Sequence, residues 1–552
     1  MLRPMPIEPV PPETARVARA AFPKGNRYLR LADELDMLFT DDTFQALFPR
    51  HGPPAWPPWR LAFVTLLQFA EGRSDRQAAN AVRSRIDWKY VLRLELADAG
   101  FDASVLSEFR TRLITGAAEY VLFDTLLAWC RDRHLIKARG RQRTDSTHML
   151  AAVRALNRIE VVGETMRHAL NRLAIVAPEW LRTVSPSGWQ DRDARRAEDD
   201  RLPTTQAARA ALALALGHDG WRLLAALDHA AAPPWLREIP AVVVLRRVWI
   251  QNYLRDGTQL QWREAGNIPP AAQFISSPYD LDAHYARKHT TQWVGYKVHL
   301  TESCGDDLPH LSTHVETTSG PAADGAATPK IHEALEQRDR LPRTHIVDTG
   351  FLDAALLVES QAHYGVDLLG PPRLDYHWQA RDGAGFDAQH FQIDWDRQRA
   401  ACPAGQTSIS WTPAVDNREN PVIKVKFATQ DCRRCDYVTQ CIRSPKRDPR
   451  RTLTIRPRPQ DQALQASRQR EATEAFQTEY AHRAGIEGTI SRETRSLRLR
   501  RTRYIGLRRV HLGPIFAAGG LNVLRLGEWL LEMARAKTRM TPFARFMADA
   551  AA

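Results

Sequence analysis

The chain has 552 residues and 43% of them are hydrophobic, which is enough for several domains with buried cores. Its 77 Lys and Arg exceed its 64 Asp and Glu and give a net charge of +13. A balance this basic favours a nucleic acid or an anionic membrane surface as the partner. The most apolar long stretch, 511–534, contains Arg525 and Glu528. This stretch is therefore predicted to be an amphipathic buried helix, and a membrane span is disfavoured.

The N-terminal segment is rich in proline and lacks the apolar core of a secretory signal. We predict a disordered leader over residues 1–24. Residues 25–135 are predicted to form a helical N-terminal domain that binds DNA. Within it, the segment 72–90 begins with a capping signal at Ser74 or Asp75 and carries several arginines. This segment suits a helix-turn-helix-like unit, although an ordinary surface helix with arginines has the same pattern.

The first candidate for chemistry lies in 136–150, where a basic stretch leads into Thr-Asp-Ser-Thr-His. This pattern predicts a strand with Asp145 near its middle. The next stretch, about 151–265, is rich in Ala, Leu and Arg and is predicted to be helical. Pro233 and Pro234 are expected to interrupt it.

A change from helical to alternating periodicity marks the following segment. Residues 295–301 and 310–318 alternate between apolar and polar side chains, and a Gly-Asp-Asp turn separates them, which predicts a β-hairpin. The segments after the hairpin are predicted as helix, strand, helix and strand at about 327–338, 344–351, 352–364 and 366–372. The first of these strands ends in Asp348. Strand, helix and strand at this spacing predict a parallel pair.

A cysteine cluster distinguishes residues 373–460, which are predicted to form a polar insertion without a core of its own. The clustered cysteines are Cys402, Cys432, Cys435 and Cys441. Four thiolates that include a C-x-x-C pair suit tetrahedral Zn²⁺, so a structural zinc-knuckle-like site is predicted. Four reduced thiols, or a site that has lost its metal, are the alternatives. A bound metal would supply folding free energy to this segment.

In the last part of the chain, 461–540, Glu487 is followed by a dense run of arginines. Tyr480, Arg483 and Glu487 stand at i, i+3 and i+7 and share one face of a helix. A carboxylate in this setting suits a divalent metal whose phosphate ligands are held by arginines, and a solvated charged helix is the alternative. The arginines predicted to contact DNA are Arg492, Arg495, Arg498, Arg500 and Arg501. Surface solubility is the alternative role for this basic run.

Three carboxylates stand out at positions suited to catalysis. Asp145 lies in the first strand, Asp348 closes a parallel strand, and Glu487 follows on a helix. Ligands of open α/β sheets gather at the carboxyl ends of the strands. Two Mg²⁺ ions roughly 3.5–4 Å apart, held by such carboxylates, can activate an attacking water or 3′-hydroxyl and stabilise the leaving oxygen. The alternative is a structural turn at Asp145, since a chain with 64 acidic residues offers many such triplets.

Three motifs, R-T-D-S-T-H, I-V-D-T-G-F and Y-x-x-R-x-x-x-E, resemble the signature blocks of bacterial insertion-sequence transposases of the DDE class. The N-terminal helical region and W-V-G-Y-K-V-H-L-T-E at 293–302 are similar to the large group related to the IS4 and IS5 families. The resemblance extends over about 25–530 with all blocks in order. It implies an α+β and α/β mixed fold with an RNase-H-like mixed-sheet core. The implied parts are a first core segment at 136–372, a helical insertion at about 151–285, a Cys-rich insertion at 373–460 and a C-terminal core segment at 461–540.

The resemblance also implies what the parts do. Asp145, Asp348 and Glu487 would hold Mg²⁺ or Mn²⁺, and Tyr480 and Arg483 would lie near the transposon end. The implied protein is a transposase that binds terminal inverted repeats, cleaves DNA and transfers strands. It would act on double-stranded DNA as a homodimer, in the bacterial cytoplasm at the nucleoid.

The sequence departs from the family pattern at two positions. A lysine often stands seven residues after the glutamate, whereas this chain has Thr494 there, with Arg495 beside it. Thr349, and no tryptophan, follows Asp348. Two alternative functions therefore stay open, which are a catalytically inactive, domesticated DNA-binding protein and an RNase-H-like nuclease without strand transfer.

Overall fold

The N-terminal part of the chain is helical, as the sequence predicted. The computed structural model describes all residues except 5, 36–37, 190–195, 199–201, 258, 444–447, 534–541 and 544–552. The helices before the first strand are α1 (Pro12–Ala21), α2 (Arg27–Leu35), α3 (Pro58–Ala70), α4 (Asp75–Ser84), α5 (Ile86–Val91), α6 (Ser104–Thr115) and α7 (Val121–Asp132). Within the described residues, no helix combines the length and the apolar character that crossing a membrane requires.

Helix α1 lies inside the segment that the sequence predicted to be a disordered leader, so the structure differs from the prediction there. Ala18 is fully buried in a cluster with Leu29 and Tyr90. The Thr14 hydroxyl donates a hydrogen bond to the carbonyl of Leu94 at 2.8 Å. These partners lie far along the chain, and the local composition of residues 1–24 contains no signal for them.

The start of α4 confirms the predicted capping signal. Ser74 and Gln77 form a capping box, in which each side chain accepts a hydrogen bond from the backbone of the other. Arg85, one of the arginines expected to face phosphate, pairs instead with Glu71 at 2.6 Å and with Asp87. This internal pairing reduces the cationic surface that the segment 72–90 offers to DNA.

A six-stranded mixed sheet forms the centre of the molecule. The strands of the described residues are β1 (Arg139–Leu150), β2 (Tyr253–Asp256), β3 (Gln259–Trp262), β4 (His284–Lys288), β5 (Thr291–Ser303), β6 (Ser312–Ser319), β7 (Pro342–Ile346), β8 (Asp367–Leu369), β9 (Gln392–Asp394), β10 (Arg399–Ala401), β11 (Ser410–Val415), β12 (Pro421–Lys426) and β13 (Thr452–Ile455). The central sheet has the order β6–β5–β1–β7–β8, with β4 also paired to β5. Strand β1 is antiparallel to β5 and parallel to β7. This arrangement is compatible with an RNase-H-like core.

Two predicted features of the sheet are confirmed. The predicted hairpin is β5–β6, whose strands pair in antiparallel fashion. The predicted parallel pair is β7–β8, which is joined through a helix. The helices after α7 are α8 (Arg158–Val176), α9 (Pro178–Val184), α10 (Gln206–Asp228), α11 (Pro240–Asn252), α12 (Thr328–Gln337), α13 (Ala354–Tyr364), α14 (Trp378–Asp382), α15 (Thr429–Arg433), α16 (Val438–Cys441), α17 (Arg458–Glu471), α18 (Glu474–Ala481), α19 (Ala484–Ser496) and α20 (Leu507–Leu530).

Helices α8 to α11 lie between β1 and β4 and enclose a core of their own around Trp249. The sequence predicted helix throughout 151–265, but the hairpin β2–β3 ends that stretch. Asp256 ends β2 and pairs with Gln259, and Gly257, directly after the strand, has φ +56°. A glycine at the first position of a hairpin turn is a hairpin signal, and the helical composition around it concealed this signal.

The cysteine-containing segment has more regular structure than the sequence predicted. Strands β11, β12 and β13 form a three-stranded antiparallel sheet, and β9 pairs with β10. Phe391, Val425 and Phe427 are buried together in a core that Cys402 also contacts. The expectation of a segment without a core is therefore wrong, because alternating apolar residues of short strands meet only after the strands pair.

The C-terminal part of the chain packs against both the N-terminal helices and the sheet. The stretch that leads to Glu487 and continues past it consists of three helices, α17, α18 and α19. The last helix, α20, is buried, and Leu512, Ile515 and Phe516 are fully inaccessible to solvent. It contacts α3 on one side and β6 on the other. The N-terminal helices and one face of the sheet consequently share one hydrophobic core.

Candidate active site

Two aspartates reach the same edge of the central sheet. Asp145 lies near the middle of β1, opposite Leu300 of β5. The parallel pairing of β1 with β7 ends at Arg143 and Ile346. Two residues further along each chain segment are Asp145 and Asp348. Because β1 and β7 are parallel, both carboxylates lie at the carboxyl end of the paired region, where ligands of such sheets gather.

Local hydrogen bonds fix the orientation of both carboxylates. Asp145 Oδ1 accepts a hydrogen bond from the backbone N–H of Ser146 at 2.7 Å. Asp348 Oδ1 accepts one from the N–H of Gly350 at 2.8 Å and caps a short 3₁₀ turn. A Cβ atom on Gly350 would lie 3.0 Å from Asp348 Oδ1, so glycine keeps this cap free of crowding. In both aspartates the other oxygen, Oδ2, faces Arg483.

The helices α18 and α19 present Tyr480, Arg483 and Glu487 on one side. The two residues between these helices have helical backbone dihedral angles, so the shared face predicted from the spacing is preserved. Tyr480 stacks on Phe476 with a centroid distance of 5.4 Å, and burial raises its pKa. Glu487 lies in the first turn of α19 and is 67% exposed. The glutamate is thus the solvent-facing member of the group.

One guanidinium group joins all three predicted carboxylates. Arg483 Nη2 lies 2.9 Å from Asp145 Oδ2 and 3.9 Å from Asp348 Oδ2. Arg483 Nη1 lies 3.1 Å from Glu487 Oε1. The arginine side chain itself is only 16% exposed. The three carboxylates therefore converge on a single cationic position, although Asp145 and Arg483 are 338 residues apart in the chain.

The net effect of burial and neighbouring charges is to raise the pKa of both Asp145 and Arg483. Burial raises the pKa of Asp145, Arg483 lowers it, and the neighbouring Asp348 raises it again, so that the pKa lies above its ordinary value. Burial lowers the pKa of Arg483, but Asp145, Tyr480, Asp348 and Glu487 together outweigh this effect, and the pKa is raised overall. The positive charge of Arg483 thus opposes the rise in the pKa of Asp145 that burial and Asp348 cause.

A fourth carboxylate, which the sequence analysis missed, lies beside the group. Asp324 Oδ1 accepts from Lys297 Nζ at 2.9 Å and from Ser146 Oγ at 3.1 Å. A Cβ atom on Gly350 would lie 3.3 Å from Asp324 Oδ2, which places this oxygen near the Asp348 turn. Burial would raise the pKa of Asp324, but Lys297 holds it below its ordinary value. The sequence signal nearest to it was Lys297, one of the polar residues in the alternating pattern of 295–301.

A cleft connects the carboxylates to the basic run. It has a volume of about 360 Å³ and extends from Asp145 and Glu487 along α19 to Arg495 and Arg500. Thr494 also lines it. Arg500 Nε donates to the Thr147 hydroxyl at 3.0 Å, so the arginine is anchored to β1. Thr494 and Arg495, at which this sequence departs from the family pattern, therefore both face this cleft.

The arginines of the basic run differ in their surroundings. Arg495, Arg498, Arg500 and Arg501 are exposed, while the interleaved leucines are buried. Arg492 is half-buried and pairs with Glu528 at 2.8 Å. The run thus presents four arginines to solvent and retains one for the fold.

The four clustered cysteines come together in the structure. They line one small cavity of about 30 Å³ together with Phe386 and Arg451. Burial and, to a smaller extent, the three other thiols raise the pKa of Cys441 to about 11, although Arg451 lowers it. Cys402 Sγ accepts a hydrogen bond from the N–H of Gln406 at 3.3 Å. Within the described part of the chain, no group of three or more His, Cys, Asp or Glu side chains is already arranged to hold a metal ion.

A mixed sheet with carboxylates at its strand ends and a basic cleft beside them is typical of metal-dependent enzymes that act on phosphodiesters. Two family models match the chain. The Transposase DDE domain model matches residues 401–527, which include Glu487, and the Transposase domain (DUF772) model matches residues 16–112. These matches indicate an insertion-sequence transposase of the DDE class and do not specify a subgroup. No curated protein and no solved structure matches the chain. DDE transposase domains act on DNA and generally use divalent metals such as Mg²⁺.

Proposed function

We propose that this chain is an active DDE transposase with an RNase-H-like core. It binds the terminal inverted repeats of its element, cleaves the DNA at the element's ends and joins the freed 3′-hydroxyl to target DNA. The observation that carries this proposal is the convergence of Asp145, Asp348 and Glu487 on one cationic position beside a basic cleft. The strand order β6–β5–β1–β7–β8, with Asp145 on the central strand, supports the RNase-H-like assignment.

The residues of the site fit divalent metal ions. Carboxylate oxygens are the hard ligands that Mg²⁺ prefers, and the position of Arg483 demonstrates that one positive group reaches all three carboxylates. Asp145, Asp348 and Glu487 would hold Mg²⁺ or Mn²⁺. The metal would supply activation of the attacking oxygen and stabilisation of the leaving oxygen. Arg483 lies close enough to offset charge on the reacting phosphate, and Tyr480 borders it.

The reaction is a pair of substitutions at phosphorus. In the first, a water oxygen forms a bond to the phosphorus at the element's end, and the bond to the 3′-oxygen breaks, which leaves a 3′-hydroxyl and a 5′-phosphate. In the second, that 3′-hydroxyl attacks a target phosphate and displaces another 3′-oxygen. In each step one P–O bond forms and one breaks, the attacking oxygen loses a proton and the leaving 3′-oxygen gains one, so no oxidant is needed; the first step hydrolyses one phosphodiester and the second exchanges one phosphodiester for another. The protein's part is to hold the phosphate between the carboxylates and the arginines of the cleft.

The cleft arginines are proposed to hold the phosphates next to the reacting one. Arg500 is the best placed, because it lines the cleft and is fixed to Thr147. We expect Arg500→Ala to weaken binding of end DNA and to reduce the slope of log K against log salt by about 1. The measurement is fluorescence anisotropy of labelled end DNA over a range of salt concentrations. Arg182→Ala, which removes an exposed arginine on α9, is the matched control and should leave the slope unchanged.

We also propose that the four clustered cysteines bind one structural Zn²⁺. Their common cavity and the N–H···S bond to Cys402 support this ligand set. Purified protein should contain about one zinc per chain by elemental analysis, and Cys435→Ser should lose it. Cys130→Ser alters a cysteine buried elsewhere and should retain the metal. A zinc-free wild-type protein with four titratable thiols would establish reduced cysteines instead.

The remaining parts are assigned in line with the same function. The helical segment 25–135 would bind DNA, the segment at about 151–285 is an insertion between strands of the core, and 461–540 completes the core. Two element ends must be brought together, so a homodimer on DNA is expected. Such a protein would work in the bacterial cytoplasm, at the nucleoid.

The experiment that tests the proposal uses supercoiled DNA carrying the sequences that flank the gene. The full-length protein is incubated with this DNA and Mg²⁺ or Mn²⁺, and cut and joined products are mapped. Cuts at the element's ends followed by joined products are expected. End-specific binding without metal-dependent cutting would favour the inactive DNA-binding protein, and cutting without joining would favour a nuclease.

A further inference from the structure

A buried charge cluster lies next to the candidate active site, and its Arg143 shares one face of β1 with Asp145. Its centre is Glu302 of β5, whose side chain is 0% exposed. Opposite Glu302 in the antiparallel pairing is Arg143 of β1. Arg143 Nε and Nη2 lie 2.7 Å and 2.6 Å from Glu302 Oε1. Strands β1 and β5 are thus joined by an ion pair in which two guanidinium nitrogens contact one carboxylate oxygen.

The second oxygen of Glu302 connects the sheet to the two C-terminal helices. Thr489 of α19 donates its hydroxyl to Glu302 Oε2 at 2.7 Å. Arg525 of α20 donates to the same oxygen at 2.7 Å and also donates to the Thr489 hydroxyl. All the acceptor positions of this carboxylate are therefore used by β1, α19 and α20.

Arg143 extends the cluster to the beginning of α19. Its Nη1 donates to the carbonyl of His482, which precedes Arg483. A Cβ atom on Gly485 would lie 2.1 Å from Arg143 Nη1, so only glycine lets the arginine pass the first turn of the helix. That first turn also contains Glu487.

The members of the cluster stand at short, regular spacings from the candidate ligands. Arg143 precedes Asp145 by two residues on β1, and Thr489 follows Glu487 by two residues on α19.

Glu493, also on α19, is fully buried, and burial raises its pKa to about 8, so it adds little negative charge at neutral pH. Glu302 is therefore the principal buried anion that draws the two arginines together.

Stability alone is a poor explanation for such a cluster. Taking charges out of water costs free energy, and apolar side chains of similar volume often stabilise a fold as well or better. A buried ionic cluster does, however, define the relative position of the elements it joins, because each hydrogen bond has a fixed length and direction.

We propose that Glu302 is a positioning residue that fixes Glu487 relative to Asp145 by holding α19 against β1 through Arg143 and Thr489. The inference rests on the proposed transposase function. It adds a determinant of catalytic geometry that does not touch DNA, metal or the reacting phosphate.

The test uses Thr489→Val, which keeps the side-chain shape and removes the hydroxyl that links α19 to Glu302. We expect kcat for end cleavage to fall by roughly 10–100-fold while KM and the Kd for end DNA stay close to wild type. Thr489→Ser restores the hydroxyl and should restore most of kcat. Glu302→Gln, which weakens both arginine contacts, should have the larger effect if it folds.

The control is Thr165→Val, since Thr165 is another fully buried helical threonine, and its hydroxyl bonds its own helix at the Val161 carbonyl. Melting temperatures of all variants are measured in parallel. A Thr489→Val protein that loses thermal stability but keeps wild-type kcat well below its melting temperature overturns the inference, because only a structural role then remains. If the wild-type protein cuts no element ends, the proposed function is wrong and the inference fails with it. When the inference alone fails, the wild-type protein is still active, so the two outcomes are distinguishable.

Discussion

Replacing Asp145, Asp348 or Glu487 individually by the corresponding amide is expected to reduce end cleavage and joining at least about 10³-fold. The amide keeps the volume of the side chain and removes the negative charge that a divalent metal requires. All three carboxylates meet at one guanidinium, so each loss should disable the same site. The measurement is the rate of product formation on supercoiled DNA with Mg²⁺.

Binding of end DNA separates this effect from misfolding. Each amide variant should bind end DNA at least as tightly as wild type, because a negative charge next to the phosphates has been removed. Asp396→Asn is the matched control, since Asp396 is 87% exposed in the Cys-rich segment. If cleavage survives in any of the three variants at the wild-type rate, that residue is not a metal ligand, and the assignment of the triad is wrong.

Arg483→Gln is expected to destabilise the metal-free protein and to make its stability depend on Mg²⁺. Without the guanidinium, Asp145 and Asp348 remain side by side with no shared cation. We expect the free energy of unfolding in EDTA to fall by about 1–3 kcal/mol, which is below the cost of a fully buried pair because the site is partly open to solvent. Adding Mg²⁺ should recover part of this loss, since a bound cation stabilises the folded state. Urea unfolding with EDTA or with Mg²⁺ measures both effects.

The comparison variant for this experiment is Arg492→Gln. Arg492 pairs with Glu528 on the same C-terminal part of the chain, and both side chains are about one-third exposed. Its loss should cost less than about 1 kcal/mol, and Mg²⁺ should not reverse it. Equal stabilisation of wild type and Arg483→Gln by Mg²⁺ would contradict the idea that the arginine and the metal serve the same carboxylates.

We propose that the negative charge of the three carboxylates is balanced either by Arg483 or by a bound metal ion. The carboxylates are held by strand and helix ends, and the chain's own arginine lies among them. In the proposed function, the same arginine would neutralise a phosphate when DNA and metal are bound. Arg495 and Arg500, which line the cleft, would then contact the neighbouring phosphates. Binding and chemistry would thus share residues, and we expect a change at Arg483 to affect both.

Some parts of the fold were predictable from local patterns. The hairpin β5–β6 and the parallel pair β7–β8 follow from period-two alternation and from strand–helix–strand spacing. The break between α18 and α19 was not predictable, since the two residues at the break keep helical dihedral angles and the helical period continues through them. The helix α1 within the predicted disordered leader was also not predictable, because Leu94, which accepts the hydrogen bond of Thr14, lies 80 residues away.

The sequence by itself determined which residues are available for chemistry. The motifs around Asp145, Asp348 and Glu487, the net positive charge and the arginine run all point to metal-dependent work on DNA. Only the tertiary structure decided which other side chains lie next to these residues. Asp324 and Glu302 resemble any other acidic residue in the sequence, and they acquire their roles through Lys297, Arg143 and the C-terminal helices. The physical reason is that a buried charge is defined by its partners, and those partners come from strands and helices whose register is set only when the whole chain packs.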